Sequence, residues 1–359
     1  MNGLGTSWRL WFAALALAAL PAGAQLSEKV TINGYTSLEF EKQLGDEGKS
    51  DPNGSFDADG VDLVINVLPT DRLRFATDLT WEHGPATEEG RGNVAVEYAF
   101  VEYFVTDAFK IRTGKMFVPF GLYNEIHTAK PLFLSVKEPF STDKTDKLGS
   151  PIRFFPRWGS GISVLGGGRV FGRDLDYVAQ VSNGESVFVN PYEEDDNTAK
   201  ALAARVRYHV LPSLALGVSL YHDRFTEPTE DGEPGDGRGT LASYGVTAAW
   251  DGKPAGAELA YLWGSIDASA DASLSRTGLE AMVWANLGRF RPYLRYEWHD
   301  PNSDKADDVA SMLIGGVNVR IEGNLFLKAE LDRFVSDAGN SKLKGADFTE
   351  FKASLAYGF

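Results

Sequence analysis

The sequence predicts an all-β protein, a closed antiparallel transmembrane β-barrel of about 16 strands with short periplasmic turns and long extracellular loops. Three observations predict this fold. Apolar and polar residues alternate with a period of two in runs of about ten residues, the length of a tilted strand that crosses a membrane. After residue 24, no apolar segment approaches the length of a transmembrane helix. The connections between the runs alternate between short and long, as in outer-membrane barrels.

The N-terminal segment has the pattern of a secretory signal peptide. Arg9 is followed by the apolar run Leu10 to Leu20, which is too short to span a bilayer as a helix. Ala22-Gly23-Ala24 then supplies the small residues of a cleavage site. We therefore expect residues 1–24 to be a signal peptide that is removed, and residues 25–359 to form the barrel.

The composition is compatible with a barrel and does not by itself exclude a soluble protein. The mean hydropathy of −0.21 resembles that of soluble proteins. A barrel that points apolar residues at lipid and polar residues at water has the same average. The chain contains no cysteine, so disulfides cannot supply its stability, and packing and a continuous hydrogen-bond ladder have to do so.

The alternation recurs along nearly the whole mature chain. In the first run, Val30, Ile32 and Leu38 lie on one face and Thr31, Asn33 and Glu39 on the other. The predicted strands cover residues 30–41, 58–68, 72–83, 93–105, 109–117, 158–166, 174–182, 199–210, 213–223, 240–251, 255–264, 277–287, 290–299, 308–321, 324–335 and 347–359. The glycines at 166–168 are interpreted as a turn between the sixth and seventh strands, and 14 or 18 strands remain alternatives.

The last predicted strand places aromatic and apolar residues on one face and ends on one of them, Phe359. A terminal outward aromatic is similar to the C-terminal signature by which outer-membrane proteins reach their assembly machinery. Taken alone, the pattern also fits the last strand of a soluble sandwich. In a membrane the sheet has to close, because an open edge leaves backbone groups unpaired in hydrocarbon. We expect the protein in the outer membrane of a Gram-negative bacterium.

Four segments resemble the phosphate-selective porin O/P-like family. Gly114-Lys-Met-Phe-Val-Pro-Phe-Gly121, leading to Glu125, is similar to that family's G-[KQ]-F-x-x-P-F-G segment. The segments 182–185, 291–297 and 327–331 resemble its strand-ending N-G step, its P-x-x-R-Y-E strand and its L-K-A-E strand. The resemblance implies a porin, a homotrimer, a loop folded into the pore after the first of these segments, and phosphate selection by stacked arginines and a lysine cluster.

Alternation places a set of cations on the inner face. Most lie within a few residues of a short turn, which puts them in the periplasmic half of the lumen. A ring of cations lowers the barrier for anions in a narrow pore. The inward cations are Arg72, Arg74, Lys110, Arg112, Arg205, Arg207, Arg291, Arg295, Arg320 and Lys328, and the first eight of these are the predicted pore-lining members. Inward carboxylates leave the opposite outcome open, because cross-strand ion pairs would neutralise these cations; they are Asp62, Asp78, Glu97, Glu258, Glu297, Glu330 and Asp332.

Residues 118–157 form the predicted constriction loop. The cations of this loop outnumber its carboxylates by 6 − 4 = 2 in a chain of net charge −15. Those cations are Lys130, Lys137, Lys144, Lys147, Arg153 and Arg157. Phenylalanines in the loop are suited to anchoring it against the barrel wall, and a structureless loop of about 40 residues is uncommon. The alternative is an ordinary surface loop.

The other long loops are acidic around residues 46–59, 193–196 and 227–236. On the extracellular side they would hold divalent cations beside lipopolysaccharide phosphates, or they are simply solvated. The composition of residues 226–239 predicts local disorder. The expected partners are outer-membrane lipids, lipopolysaccharide and small solutes or anions, without nucleic acid.

The function predicted from these features is passive diffusion of small hydrophilic solutes, with a preference for anions such as phosphate. The five histidines are scattered without the spacing of a metal site, and no nucleophile-elbow or phosphate-loop motif occurs. We therefore expect no cofactor, no metal and no enzymatic activity. A barrel that acts as a scaffold or sheath for a partner protein is the main alternative, followed by an outer-membrane enzyme.

Overall fold

A computed structural model describes residues 29–44, 53–82, 94–126, 129–142, 148, 153–229, 231, 233–268 and 273–359. These residues form a closed barrel of sixteen antiparallel strands. Each strand pairs with its neighbours in sequence, and the first strand closes the barrel against the last. The predicted fold class and strand number are confirmed. The predicted signal peptide lies outside the described residues.

Where the observed strands are longer than the predicted runs, the extra residues lie chiefly at the ends that lead into the long loops. Their bounds are β1 Val30–Leu44, β2 Ser55–Thr70, β3 Leu73–Glu82, β4 Val94–Thr106, β5 Phe109–Phe117, β6 Trp158–Val170, β7 Arg173–Ser182, β8 Ala201–Leu211, β9 Leu214–Pro228, β10 Pro234–Asp251, β11 Ala255–Asp267, β12 Leu274–Ala285, β13 Phe290–Asp300, β14 Ala310–Glu322, β15 Leu325–Ser336 and β16 Asp347–Gly358. Short 3-10 turns cover Asn124–Ile126 and Lys130–Leu132.

The alternation read from the sequence corresponds to the two faces of the wall. In β9, Val218 and Leu220 point outward and are exposed, whereas Ser219 and Tyr221 point inward and are buried. Apolar side chains on the outside match a lipid environment, because successive residues of a strand point to opposite faces. Among the described residues, no helix is long and apolar enough to cross a membrane.

The two ends of the chain meet where the barrel closes. The pairing of β1 with β16 runs from Tyr35 opposite Gly358 to Leu44 opposite Thr349. Beyond it, the amide of Gly34 donates to the Phe359 carbonyl at 3.0 Å, and the amide of Phe359 donates back at 2.9 Å. A Cβ at Gly34 would lie 2.3 Å from the Phe359 ring. The Phe359 ring therefore packs on Gly34 where β1 and β16 close the barrel.

The interpretation of residues 166–168 as a turn is wrong. These glycines lie inside β6, and the chain turns at Phe171 and Gly172, which both have positive φ. A Cβ on Gly166 would lie 1.8 Å from the carbonyl oxygen of Ala108 in the turn between β4 and β5. The glycine is required at that position by this close approach of backbone, and not by a change of chain direction.

The prediction of disorder for residues 226–239 is also wrong. β9 continues to Pro228 and β10 begins at Pro234, so these strands form a hairpin that rises above the rest of the wall. At its tip, the amide of Thr229 donates to the Glu233 carbonyl at 2.8 Å. The ladder continues because paired strands satisfy their backbone groups in water as well as in lipid, whatever the charge of the side chains.

Candidate functional site: the barrel interior

The described residues of the range 118–157, which we call the inner segment, turn into the barrel directly after β5. The amide of Val118 donates to the Arg157 carbonyl at 2.9 Å, which ties the two ends together. The amide of Gly121, at a φ of 64°, donates to the hydroxyl of Ser219 on the inner face of β9 at 3.1 Å. The rings of Phe120 and Phe155 stack at 4.3 Å. The positive φ of this glycine lets the chain change direction at the strand end.

Side chains of the wall bind the backbone of the inner segment. Asn318 of β14 donates to the carbonyls of Phe133 and Leu134 at 3.2 and 3.3 Å. Lys328 of β15 donates to the carbonyls of Lys130 and Ser135 at 2.6 and 2.9 Å. A segment without a sheet partner needs such donors once it is buried, since unpaired carbonyls are costly there.

Carboxylates of the same wall accept from amides of the inner segment. Glu330 of β15 accepts from the amide of Val136 at 2.9 Å, and Glu280 of β12 accepts from that of Ser141 at 3.1 Å. Arg295 of β13 donates to the Lys137 carbonyl at 2.9 Å. The inner segment is therefore held by charged and amide side chains from four consecutive strands, β12 to β15.

Apolar side chains of the inner segment complete a hydrophobic core inside the barrel. Phe140, Phe154 and Phe155 are almost fully buried. They belong to one cluster with inward side chains of β8 to β15, which include Tyr221, Leu262, Met282, Met312 and Phe334. We call this part of the interior, the inward faces of β8 to β15 with the inner segment, the packed half.

The inward faces of β2 to β7 form a second region, which we call the charged half. Arg74 and Arg112 share Glu102, at 3.5 and 2.7 Å. The Arg112 guanidinium lies 4.2 Å from the centre of the Phe100 ring. The side chains of Arg74 and Arg112 keep 32% and 19% exposure, against 3% for Arg295 in the packed half. These two guanidiniums thus remain in contact with solvent, whereas the inward carboxylates Asp62, Asp78, Glu97 and Glu102 of this half are buried.

Three of the cations predicted for the constriction, Lys130, Lys137 and Arg157, lie beside carboxylates. Lys137 lies 2.5 Å from Glu39 and 3.1 Å from Glu41 of β1. Lys130 lies 3.8 Å from Glu39, and Arg157 lies 2.6 Å from Glu138 within the inner segment. In addition, Arg276 donates to the backbone carbonyl of Arg153 at 2.8 Å. Lys144 and Lys147 lie outside the described residues.

The predicted cations of the wall are distributed around the barrel. Arg205 pairs with Glu125 of the inner segment, Arg207 with Asp176 at 2.9 Å, and Arg295 with Glu297 at 2.8 Å. The others make contacts of different kinds. Arg291 donates to Asn286 at 3.0 Å, Lys110 lies 4.9 Å from the centre of the Phe104 ring, and Arg72 is exposed in the turn before β3. The structure therefore brings Arg74 and Arg112 together, and separates them from Arg295.

Residues that hold the inner segment were only partly recognised in the sequence. The inward orientation of Lys328 and Glu330 follows from alternation, but their partners, the backbone groups of a distant loop, do not. Asn318 and Glu280 were not identified; an inward amide or carboxylate in an otherwise apolar row is the signal that marks them.

The hydroxyl of Tyr123 donates to Glu258, and burial raises the pKa of Tyr123 well above its usual range.

The described residues contain no group of three or more His, Cys, Asp or Glu side chains placed to hold a metal ion.

No family model matches the chain. An uncharacterized protein of Aquifex aeolicus (strain VF5) is 30% identical over 119 residues, which are 32% of this chain and 26% of that protein. The chain thus spans about a quarter of the length of the curated relative it matches.

Solved structures share the fold. An anion-selective porin from Comamonas acidovorans superposes with a TM-score of 0.65 at 13% identity, over 92% of this chain and 99% of that one. OmpF of Salmonella typhi gives 0.62 at 12% identity, over 92% and 97%. In-vitro folded OmpT of Vibrio cholerae in its trimer form gives 0.57 at 13%, over 92% and 99%. The chain is a closed barrel that resembles the outer-membrane porins of Gram-negative bacteria.

Proposed function

We propose that the protein is an outer-membrane porin for passive diffusion of small hydrophilic solutes. The observation that carries this proposal is the division of the interior: the inner segment packs against the inward faces of β8 to β15, whereas the guanidiniums of Arg74 and Arg112 in the charged half stay partly exposed. Solutes pass along the charged half, where Arg74, Arg112 and Glu102 line the wall. The inner segment narrows the passage, and hydrogen bonds from β12 to β15 keep it in place.

We further propose a preference for anions, phosphate included, that depends on the wall and not on the inner segment. Lys130, Lys137 and Arg157 of the inner segment lie beside carboxylates, which offsets their charge. On the wall, two guanidiniums share the single carboxylate of Glu102 and stay partly exposed. The neighbouring carboxylates of Asp62 and Asp78 are buried, so the charge that this site presents to water is positive. A fixed positive charge beside a narrow aqueous path lowers the barrier for anions.

The test is the reversal potential of the protein in planar bilayers under a KCl gradient. We expect an anion-selective potential that moves toward zero in the variant Arg74→Gln/Arg112→Gln. The control is Arg333→Gln, an exposed arginine on the outer face of β15, which should leave the potential unchanged. A cation-selective wild type would contradict the anion preference. Chloride current that falls at low phosphate would extend the preference to phosphate.

The proposed assembly is a homotrimer in contact with outer-membrane lipids and lipopolysaccharide. OmpT of Vibrio cholerae, which shares the fold, has a trimer form. We propose no catalytic role for the chain. A sheath around a partner protein would need a lumen free of internal obstruction, whereas the inner segment packs into this one. Conductance that stays the same when residues 122–155 are deleted would favour the sheath.

A further inference from the structure

Three aromatic rings follow the inward face of β4 in the charged half, and we call them the aromatic column. Phe104, Phe100 and Tyr98 point into the barrel, in order of distance from the turn between β4 and β5. The rings of Tyr98 and Phe100 stack at 5.5 Å. Phe100 is almost fully buried, whereas Tyr98 and Phe104 are half-buried. Two rings of the column are therefore partly uncovered inside the barrel.

Cations on the two neighbouring strands lie against these rings. Strand pairing places Lys110 of β5 opposite Phe104, and its ammonium lies 4.9 Å from the centre of that ring. The guanidiniums of Arg112 and Arg74 lie 4.2 and 5.6 Å from the centre of the Phe100 ring. Three cations thus flank the aromatic column at distances at which a cation interacts with an aromatic face.

Neighbouring side chains orient both guanidiniums and leave one nitrogen of each for a solute. Asn66 accepts from Nε and Nη2 of Arg74 at 3.1 and 2.7 Å. Glu102 accepts from Nε of Arg112 at 2.9 Å and lies 2.7 Å from its Nη2. Nη1 of Arg74 has a long contact of 3.5 Å with Glu102, and Nη1 of Arg112 makes no hydrogen bond to the described residues. Two oriented donors of this kind suit a carboxylate.

The position of the rings sets where the rest of such a solute would lie. On the extracellular side, Asp78 lies opposite Tyr98 and would repel an anion. On the periplasmic side, Phe104 follows Glu102 by two residues, about 6.6 Å along the strand. A ring bonded to a carboxylate at Arg74 and Arg112 therefore reaches Phe104.

Aromatic rings beside an aqueous path favour organic anions over inorganic ones. Chloride and phosphate would lose water at such a surface and gain no hydrogen bond from it. A planar aromatic solute gains apolar contact, stacks against the rings of the wall and lies well on the face of a guanidinium.

We propose that the aromatic column and its three flanking cations form a binding site for aromatic carboxylates. The inference rests on the porin function proposed above and names a class of solute for it. The carboxylate binds Nη1 of Arg74 and Arg112, and the ring of the solute packs on Phe104 beside Lys110. The site lies in the wall of the charged half, so a bound solute stays in the path of permeation.

Planar bilayers test the site with solutes that differ only in the group bonded to the carboxylate. Benzoate, cyclohexanecarboxylate and acetate are added in turn, at neutral pH, to wild-type channels that conduct chloride. We expect benzoate to halve the chloride current at a concentration about three- to tenfold lower than acetate requires, with cyclohexanecarboxylate between them. Benzoate that is no more potent than either of the other two would overturn the proposal.

Phe104→Leu removes a half-buried ring of the site and keeps an apolar side chain. The advantage of benzoate over acetate should fall about threefold. The matched control is Phe290→Leu, whose ring is exposed on the outer face of β13, and it should keep the full advantage. Heat-modifiable migration on electrophoresis shows whether each variant is folded. An unchanged advantage in folded Phe104→Leu would contradict the site.

Arg112→Lys separates the charge from the planar guanidinium. Lysine keeps the positive charge and loses the planar face and the fork of donors. The concentration of benzoate that halves the current should rise several-fold, whereas the reversal potential under a KCl gradient should remain anion-selective. Undiminished block by benzoate in folded Arg112→Lys would show that charge alone binds the solute, and would overturn the proposal.

Chloride conductance distinguishes a failure of this site from a failure of the pore. A wild type that conducts chloride without preferring benzoate counts against the site alone. A folded wild type that does not conduct counts against the proposed porin function.

Discussion

The packed half and the charged half of the interior are built from the same alternating pattern and end in different environments. In the packed half, inward side chains such as Met312 and Leu262 are covered by the inner segment and form a core. In the charged half, Arg74 and Arg112 pair with Glu102 and stay partly exposed. The difference shows that alternation assigns a residue to the inner face of the barrel. A loop distant in sequence then decides whether that residue is covered and becomes part of a core.

Deletion of residues 122–155 should have the largest effect, because it removes most of the inner segment and with it the difference between the two halves. Both halves would then be lined by side chains in water, and the single-channel conductance should rise about twofold because the packed half becomes passable. The measurement is planar-bilayer recording of folded, heat-modifiable protein. An unchanged conductance would show that the inner segment does not limit the passage, and would favour the sheath alternative.

Phenylalanine truncation in the two halves compares their packing. Phe140→Ala removes a buried ring that faces Phe154 and His299 in the packed half, and should lower the free energy of unfolding by about 3–5 kcal/mol. Phe100→Ala opens a smaller buried cluster, which contains Ala76 and Met116 with Tyr98 packed against it. We expect a smaller loss for Phe100→Ala, because fewer apolar side chains surround its ring. Urea unfolding in detergent micelles measures the free energy of unfolding of both variants. Equal losses would contradict the difference in packing between the two halves.

An ion pair within the packed half and one at its border with the charged half, between β8 and β7, should also differ in their effect on stability. Arg295→Met leaves the carboxylate of Glu297 inside the packed half without its arginine, which should cost about 3–5 kcal/mol. Arg207→Gln breaks a pair with Asp176 whose side chains are 44% and 33% exposed, and should cost about 1 kcal/mol or less. The same unfolding assay compares them, and the idea fails if Arg207→Gln is the more damaging change.

Ionic strength should change the stabilising effect of these two ion pairs to different extents. The change should be smaller than the effects of the substitutions themselves. Raising the ionic strength weakens interactions between exposed charges more than between buried ones. The difference in stability between wild type and Arg207→Gln should therefore shrink between low salt and about 1 M KCl, where the screening length is about 3 Å. The difference between wild type and Arg295→Met should persist. If both stability differences changed equally with salt, Arg295 would have to be exposed to water.

Much of the barrel follows from sequence because the strand is a local structure. Alternation and the short connections correctly predict sixteen strands, and alternation in β9 and β13 correctly predicts which of their residues face inward. The two errors, at residues 166–168 and 226–239, have one origin. Glycine and acidic residues were interpreted as local signals, whereas a backbone approach from Ala108 and an extended hairpin explain them.

The interior was less predictable because its contacts join residues far apart in the chain. Lys328 binds the carbonyl of Ser135, and Glu330 the amide of Val136, across more than 190 positions. The cations of the inner segment were identified as a basic constriction, but their neighbours, Glu39 and Glu138, are what set the local charge. Charge counted along a loop does not include the carboxylates that the fold places beside it.

The sequence by itself determined that the chain forms a closed barrel, since a period of two is repeated in every strand and the sheet has to close in a membrane. It also determined which residues point inward, because successive side chains of a strand alternate between two faces. Only the tertiary structure decided which inward residues are buried in a core and which are ion-paired at a solvated wall. Burial and pairing depend on the path of residues 118–157 across β8 to β15, and no local pattern encodes contacts between strands and a loop so distant in sequence.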